Sequence, residues 1–229
     1  MKKQTTCHRP LLMKLAASAV SVACFSLAPV HADEIHTEGP VAGGGAQGIY
    51  VPVAPEQRAG MKALIVTGFG FNDMETFYPF YRFTEEGFDV TVASPEGGDI
   101  QGYGGHIMLD TKRLSEVDVT DYHILYLPGG RAPGTLREND DVISAVKAFA
   151  ETGRPIAAVC HGPQILVTAG LVKGVDIACF SGVGTEVEEA GGTYKDQPVA
   201  VHGQFITSRL PKDLPLQMRA IFEALDTDS

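Results

Sequence analysis

The 229-residue chain carries 28 Asp and Glu against 18 Lys and Arg, a formal charge of −10, with 44% apolar residues and four cysteines. That acidic balance excludes the electrostatic footprint of a nucleic-acid binder and offers little to an anionic lipid surface, so small molecules or proteins are the expected partners.

Residues 1–32 read as a secretory signal peptide. Lys2, Lys3 and Arg9 precede an apolar, alanine-rich run over 11–30, and Val30, His31 and Ala32 form a small-x-small cleavage site. Cleavage after Ala32 and a periplasmic or secreted address are therefore expected, with no membrane attachment once the signal is removed. Lys14 interrupts the run and leaves too little apolar length for a retained bilayer-spanning helix. Ser21 stands where a lipoprotein site ahead of Cys24 would need a Leu-like residue, which argues against lipidation. Removing the signal takes away Lys2, Lys3, Arg9 and Lys14 and no acidic residue, so the formal charge becomes −14. Cys160 and Cys179 are then the remaining cysteines, too few for a disulfide framework but free to pair with each other in an oxidising compartment.

Residues 33–60 are rich in Gly, Pro and Ala (GPVAGGGAQG, then VPVAPEQRAG) and lack an apolar period, the signature of a linker or draped arm. The folded part is expected over 61–226, about 165 residues, enough for one domain with a substantial core.

Within it, residues 63–67 are a continuous apolar strand running into a loop with Gly68 and Gly70. Met74, Phe77, Tyr78, Tyr81 and Phe83 fall at helical spacing over 73–86, with Asn72 or Asp73 as cap and Gly87 as terminator. Residues 88–93 alternate as a second strand, completing a β-α-β unit. The glycine-rich loop 94–105 predicts a connection leading by a short hairpin to a strand at 107–109. Residues 124–127 form another buried strand, stopped by Pro128-Gly129-Gly130. A helix is expected from Asn139 or Asp140 to Thr152, with Val142, Ile143, Val146, Phe149 and Ala150 as its apolar stripe. Later strands are expected around 177–180, 199–201 and 205–207, and a closing helix over 214–225.

The stretch AAVCHGPQILVTAG, residues 157–170, places Cys160 where a short buried strand (156–159) becomes a helix beginning at Pro163. A turn that tight needs a small residue after it, which Gly162 supplies, and the helix start is expected to ease ionisation of the thiol. The alternative is a buried, inert cysteine.

Unbroken apolar strands alternating with amphipathic helices predict an α/β fold with a mainly parallel sheet covered on both faces. Ligands bind such sheets beyond the carboxyl ends of the strands, where three loops meet: 68–73, 128–134 and the Cys160 turn. Glu75, in the first turn of the first helix, would join Cys160 and His161 there. The backbone N–H groups of Gly130 and His161 are candidate oxyanion donors. A carboxyl beside a thiolate is repulsive unless it is protonated, in which case Glu75 could donate to sulfur and move a proton on a substrate. Each residue also has a plain reading: Glu75 as an acid favoured at a helix start, His161 as a structural histidine, Leu127-Pro128-Gly129-Gly130 as a mere turn. No HExxH, paired CxxC or P-loop lysine is present, and His106, His123 and His202 are scattered, so no metal and no cofactor is expected.

Four segments in order, FNDMETFYPFYRFTEEGFDV, LPGGRAPGTLR, AVCHGPQILVTAGLVKG and FITSRLPKDLP, resemble the ThiJ/PfpI (DJ-1/PfpI) superfamily over residues 61–225, most closely its PfpI intracellular-protease-like branch. The resemblance implies a flavodoxin-like three-layer sandwich with a nucleophile-elbow cysteine, and homodimers or higher homo-oligomers. It makes Cys160 the reactive cysteine, Glu75 its carboxyl partner, His161 the neighbouring histidine and Gly130 an oxyanion donor. Family activities include glyoxalase or deglycase chemistry on reactive carbonyls, peptidase activity, chaperone behaviour and oxidative-stress sensing. Protease-like members carry an acid directly after Arg-Ala-Pro that completes a triad with a neighbouring subunit's histidine. This chain has Gly134 there, which disfavours a peptidase. Asn72 and Phe180 likewise replace an acid and a tyrosine common in that branch. The expected function is an exported enzyme acting on small reactive carbonyls, with a redox or chaperone-like protein that uses Cys160 as a sensor as the alternative.

Overall fold

The computed structural model describes residues 58–227; the signal-peptide reading and nearly all of the arm lie outside the described residues. The predicted apolar runs become β1 (Lys62–Val66), β2 (Asp89–Ser94), β5 (Ile124–Leu127), β6 (Ile156–Val159) and β10 (Phe205–Ser208). Between them lie a hairpin of β3 (Gly98–Gln101) and β4 (Ile107–Arg113), and later β7 (Asp176–Ile177), β8 (Thr193–Tyr194) and β9 (Val199–His202). The helices are α1 (Asp73–Glu85), α2 (Ala132–Leu136), α3 (Asp140–Glu151), α4 (Pro163–Thr168), α5 (Gly184–Glu189) and α6 (Leu214–Thr227).

Eight strands form one sheet in the order β3-β4-β2-β1-β5-β6-β10-β9. The central pairings β2–β1, β1–β5, β5–β6 and β6–β10 are all parallel, and β3 and β9 are antiparallel edges. Taking β1, β2, β5, β6 and β10 in turn gives the flavodoxin-like 2-1-3-4-5 order, whose switch point lies between β1 and β5. β1, β5 and β6 are buried almost throughout because helices cover both faces. α1 packs against α6 on one face, and α3 and α4 meet on the other. Phe83 of α1 is fully buried and meets Tyr126 of β5 and Phe222 of α6 edge-on, with ring centroids 6.2 and 5.9 Å apart.

A buried polar stitch ties α6 to the sheet. The Gln217 amide donates to the carbonyls of Ala158 in β6 and Ile206 in β10, at 2.9 and 3.0 Å, and accepts the Tyr126 hydroxyl at 3.0 Å. All of its polar atoms are paired, so a fully buried glutamine costs little.

The strand expected at 177–180 is corrected. Only Asp176–Ile177 is extended, and it pairs with β8 in a separate two-stranded sheet, so Cys179 follows a side ribbon rather than a strand of the main sheet. Cys160 and Cys179 are both free thiols. Among the described residues no helix is long and apolar enough to cross a membrane.

Candidate active site

The loops after β1 and β5 stand at the switch point, and they are tied together. Arg131 N–H donates to Gly70 O at 2.8 Å and Asn72 N–H to Gly129 O at 3.1 Å. Gly130 needs its glycine twice over: its φ is +90°, and an added Cβ would collide with the Asn72 nitrogen. Asn72 caps α1, its side-chain oxygen accepting the Glu75 N–H at 3.2 Å. That cap fixes the first turn of α1 and aims Glu75 beneath the β5 loop.

β6 delivers Cys160. Its φ of +60° is unusual for a side-chain-bearing residue and marks a strained strand-to-helix elbow. Gly162 completes the turn as expected, because a Cβ there would run into the carbonyl oxygens of Leu127 and Val159.

The four sequence-predicted residues meet at Gly129. A Cβ on that glycine would lie 2.5 Å from Glu75 Oε2, 2.8 Å from Cys160 Cβ and 2.9 Å from the His161 nitrogen. Gly129 N–H donates to Glu75 Oε2 at 3.0 Å, whereas Glu75 Oε1 is buried without a hydrogen-bond partner. The carboxyl also interacts with the Cys160 thiol. The Cys160 sulfur lies 3.2 Å from His161 Nδ1, and the backbone N–H groups of His161 and Gly130 both act on it. The His161 ring stacks on Phe180 with centroids 4.8 Å apart.

Burial raises the Glu75 pKa to about 7, with the Cys160 thiol and the Gly129 N–H pulling the other way. The expected easing of thiol ionisation is not found. Burial first, then the charge and hydrogen bond of Glu75, push Cys160 up to about 12, and the N–H groups of His161 and Gly130 only partly offset this. The helix that follows has just six residues, and it is overruled by a carboxylate at closer range. Near neutrality the thiol therefore keeps its proton while the carboxyl is partly protonated. Burial also lowers the pKa of His161, opposed by the charge of Glu186, so its ring is neutral at pH 7.

A cleft of about 410 Å³ opens over Cys160, lined by Asn72, Tyr103, Gly130, Arg131, Gly134, His161 and Gln164. Gly134 lies on its exposed side with nothing within 4 Å of a built Cβ, so an acid would fit where none exists. Sequence reasoning missed Tyr103, because it lies in the glycine-rich stretch 94–105, which reads only as a connection. It also missed Gln164, whose amide donates to Glu186 at 2.8 Å while Arg137 grips the other Glu186 oxygen at 2.5 Å. Among the described residues no group of three or more His, Cys, Asp or Glu side chains is placed to hold a metal ion.

Residues 61–224 match the model of the DJ-1/PfpI family. Over 165 residues, 72% of this chain and 99% of the relative, the chain is 40% identical to a protein named a deglycase in Thermococcus kodakarensis. It is 37% identical, with the same coverage, to Deglycase PfpI of Pyrococcus furiosus. Among solved structures it is similar to a two-domain protein of Anabaena variabilis containing DJ-1/ThiJ/PfpI-like and ferritin-like domains. That likeness has a TM-score of 0.70 at 30% identity and covers 72% of this chain and 48% of the other. With the match spanning the sheet, the Glu75 helix and the Cys160 elbow, the chain belongs to the DJ-1/PfpI family.

Proposed function

We propose that this protein is an exported, cofactor-independent cysteine enzyme that acts on small reactive carbonyls, with methylglyoxal as the type substrate and glyoxalase- or deglycase-like chemistry. The observation that carries the reading is the buried Cys160–Glu75 pair gathered at Gly129: a thiol held up at about 12 beside a carboxyl raised to about 7. A thiol that stays protonated resists adventitious alkylation, and its base is already in place.

As Cys160 sulfur adds to the aldehyde carbon, its proton passes to Glu75 and the carbonyl π electrons move to oxygen. The N–H groups of Gly130 and His161 stabilise that oxyanion before Glu75 returns the proton to it. Glu75 then removes the hydrogen of the former aldehyde carbon as a proton, the electron pair passing to the neighbouring carbonyl oxygen. It returns that proton to the neighbouring carbon, while the proton of the first hydroxyl ends on the second oxygen. The first carbon rises to the thioester level as the second is reduced to an alcohol, so no external oxidant is needed. Water cleaves the thioester, releasing a 2-hydroxy acid and the thiol. Names of the relatives favour the same class, since two similar proteins are called deglycases.

The peptidase reading has less support, because Gly134 leaves His161 without the acid that would orient it. Export is part of the proposal and rests on residues 1–32; homo-oligomerisation rests on the family. Incubating mature protein with methylglyoxal and assaying lactate tests the chemistry. Turnover lost in Cys160→Ala and in Glu75→Gln supports it, and turnover that survives Cys160→Ala overturns it. N-terminal sequencing of exported protein should begin at Asp33; a retained Met1 overturns the export reading.

A further inference from the structure

Among the polar side chains of the cleft that the proposed chemistry leaves unused is the phenol of Tyr103. Two hydrogen bonds fix which way its hydroxyl points. The Asn72 side-chain oxygen is engaged in capping α1, so the Asn72 amide nitrogen must face Tyr103, and it lies 3.1 Å from the phenol oxygen. An amide NH2 can only donate, so the phenol oxygen accepts there and its own proton points elsewhere. Among the described residues that hydroxyl has no further partner, which leaves its proton for an occupant of the cleft.

The loop that carries Tyr103 is built around one carboxylate. Asp73 accepts the N–H of Gly104 at 2.7 Å, the N–H of His106 at 2.9 Å and the His106 ring Nδ1 at 2.8 Å. A Cβ at Gly102 or Gly104 would come within 2.7 or 2.6 Å of that carboxylate, so the wrap admits glycine alone. Tyr103 N–H also donates to Phe71 O at 3.0 Å, on the β1 loop. Asn72 thus holds the phenol and Phe71 the backbone of Tyr103, and these two residues lead into the Glu75 helix.

We propose that Tyr103 contacts substrate and reads its class: it donates to the second carbonyl oxygen of a 2-oxoaldehyde while Gly130 and His161 N–H groups take the aldehyde oxygen. This rests on the carbonyl reading of the site and deepens it, because a simple aldehyde has no second oxygen to present. Asn72 is the positioning residue for the phenol.

Protection of Cys160 from iodoacetamide tests this, with methylglyoxal and propanal as the protecting aldehydes. Tyr103→Phe removes the hydroxyl; Asn72→Ser keeps a helix cap but loses the amide donor. In both variants the methylglyoxal concentration giving half protection, read against each variant's own unprotected alkylation rate, should rise roughly 3- to 10-fold, the worth of one neutral hydrogen bond, with propanal protection unchanged. The proposal is overturned if both aldehydes shift together, if neither shifts, or if methylglyoxal fails to protect the full protein. Because protection reads only addition to sulfur, a protein that is protected but releases no lactate loses the catalytic reading and keeps Tyr103. Lactate release with unshifted protection does the reverse.

Discussion

Glu75 and Cys160 are held on either side of Gly129, with one carboxyl oxygen fixed at 3.0 Å by the Gly129 N–H, the other buried without a hydrogen-bond partner, and the carboxyl as a whole interacting with the thiol. The consequence is a thiol guarded by its own base. In Glu75→Gln the charge and the hydrogen bond that both hold the thiol up are gone. Cys160 alkylation by iodoacetamide at pH 7 should therefore rise at least about tenfold, one pKa unit of thiolate, while lactate formation falls to background. A variant no more reactive than wild type would show that Glu75 does not control the sulfur.

The same carboxyl makes stability depend on pH. Its folded pKa of about 7 lies above the ordinary 4.5, so the native state binds the proton more tightly than the unfolded chain. This stabilising contribution is complete below pH 4.5 and is lost as pH rises through 7, about 3 kcal/mol over the window. Urea unfolding of wild type and Glu75→Gln at pH 5 and pH 8 isolates it: the variant should lack most of that decline. Parallel declines would contradict the buried carboxyl.

Two glycines of the same loop should respond oppositely. Gly129→Ala puts a methyl group against Glu75, Cys160 and the His161 nitrogen, which should cost roughly 1–3 kcal/mol and abolish turnover in a folded protein. Gly134→Ala meets open space inside α2 and should be neutral or stabilising by up to about 1 kcal/mol. Thermal melts of the pair, read beside lactate assays, separate the two; a harmless Gly129→Ala would mean the three neighbours can part.

His161 has two functions to pull apart, ring and backbone. Its ring is 3.2 Å from sulfur but stacked on Phe180 and left without an orienting acid, whereas its N–H acts on the sulfur whatever the side chain. His161→Ala should lower turnover by less than roughly 100-fold, below the range of a full general acid or base, and Cys160→Ala should remove it entirely. Equal losses would restore the histidine as a proton carrier.

Much of the fold was legible because the central strands are continuous apolar runs and α3 has a clean stripe between Asn139 and Gly153. That order brought the loops of Glu75, Gly130, Cys160 and His161 to one edge of the sheet, while the roles given to them came from the resemblance to the family. α2 was hidden because its turn is written in Pro133 and Gly134, which as letters signal a loop. β7 and β8 are two residues each and pair outside the main sheet, so their strand character comes from distant contacts rather than local pattern. The direction of the Cys160 shift was misjudged for a similar reason. The helix start is visible in the sequence; the desolvation and the carboxylate that overrule it arise only when residues 75 and 160 meet. Tyr103 is the same lesson, since nothing in GYGGH announces that Asp73 gathers that loop.

The Gln217 stitch makes the elbow depend on a helix distant in sequence. The amide that pins the Ala158 and Ile206 carbonyls belongs to α6, and those carbonyls lie in the two strands, β6 and β10, that back the Cys160 turn. Without that helix the end of β6 loses its buried partner, so a molecule cut short before Leu214 should carry Cys160 as an ordinary cysteine.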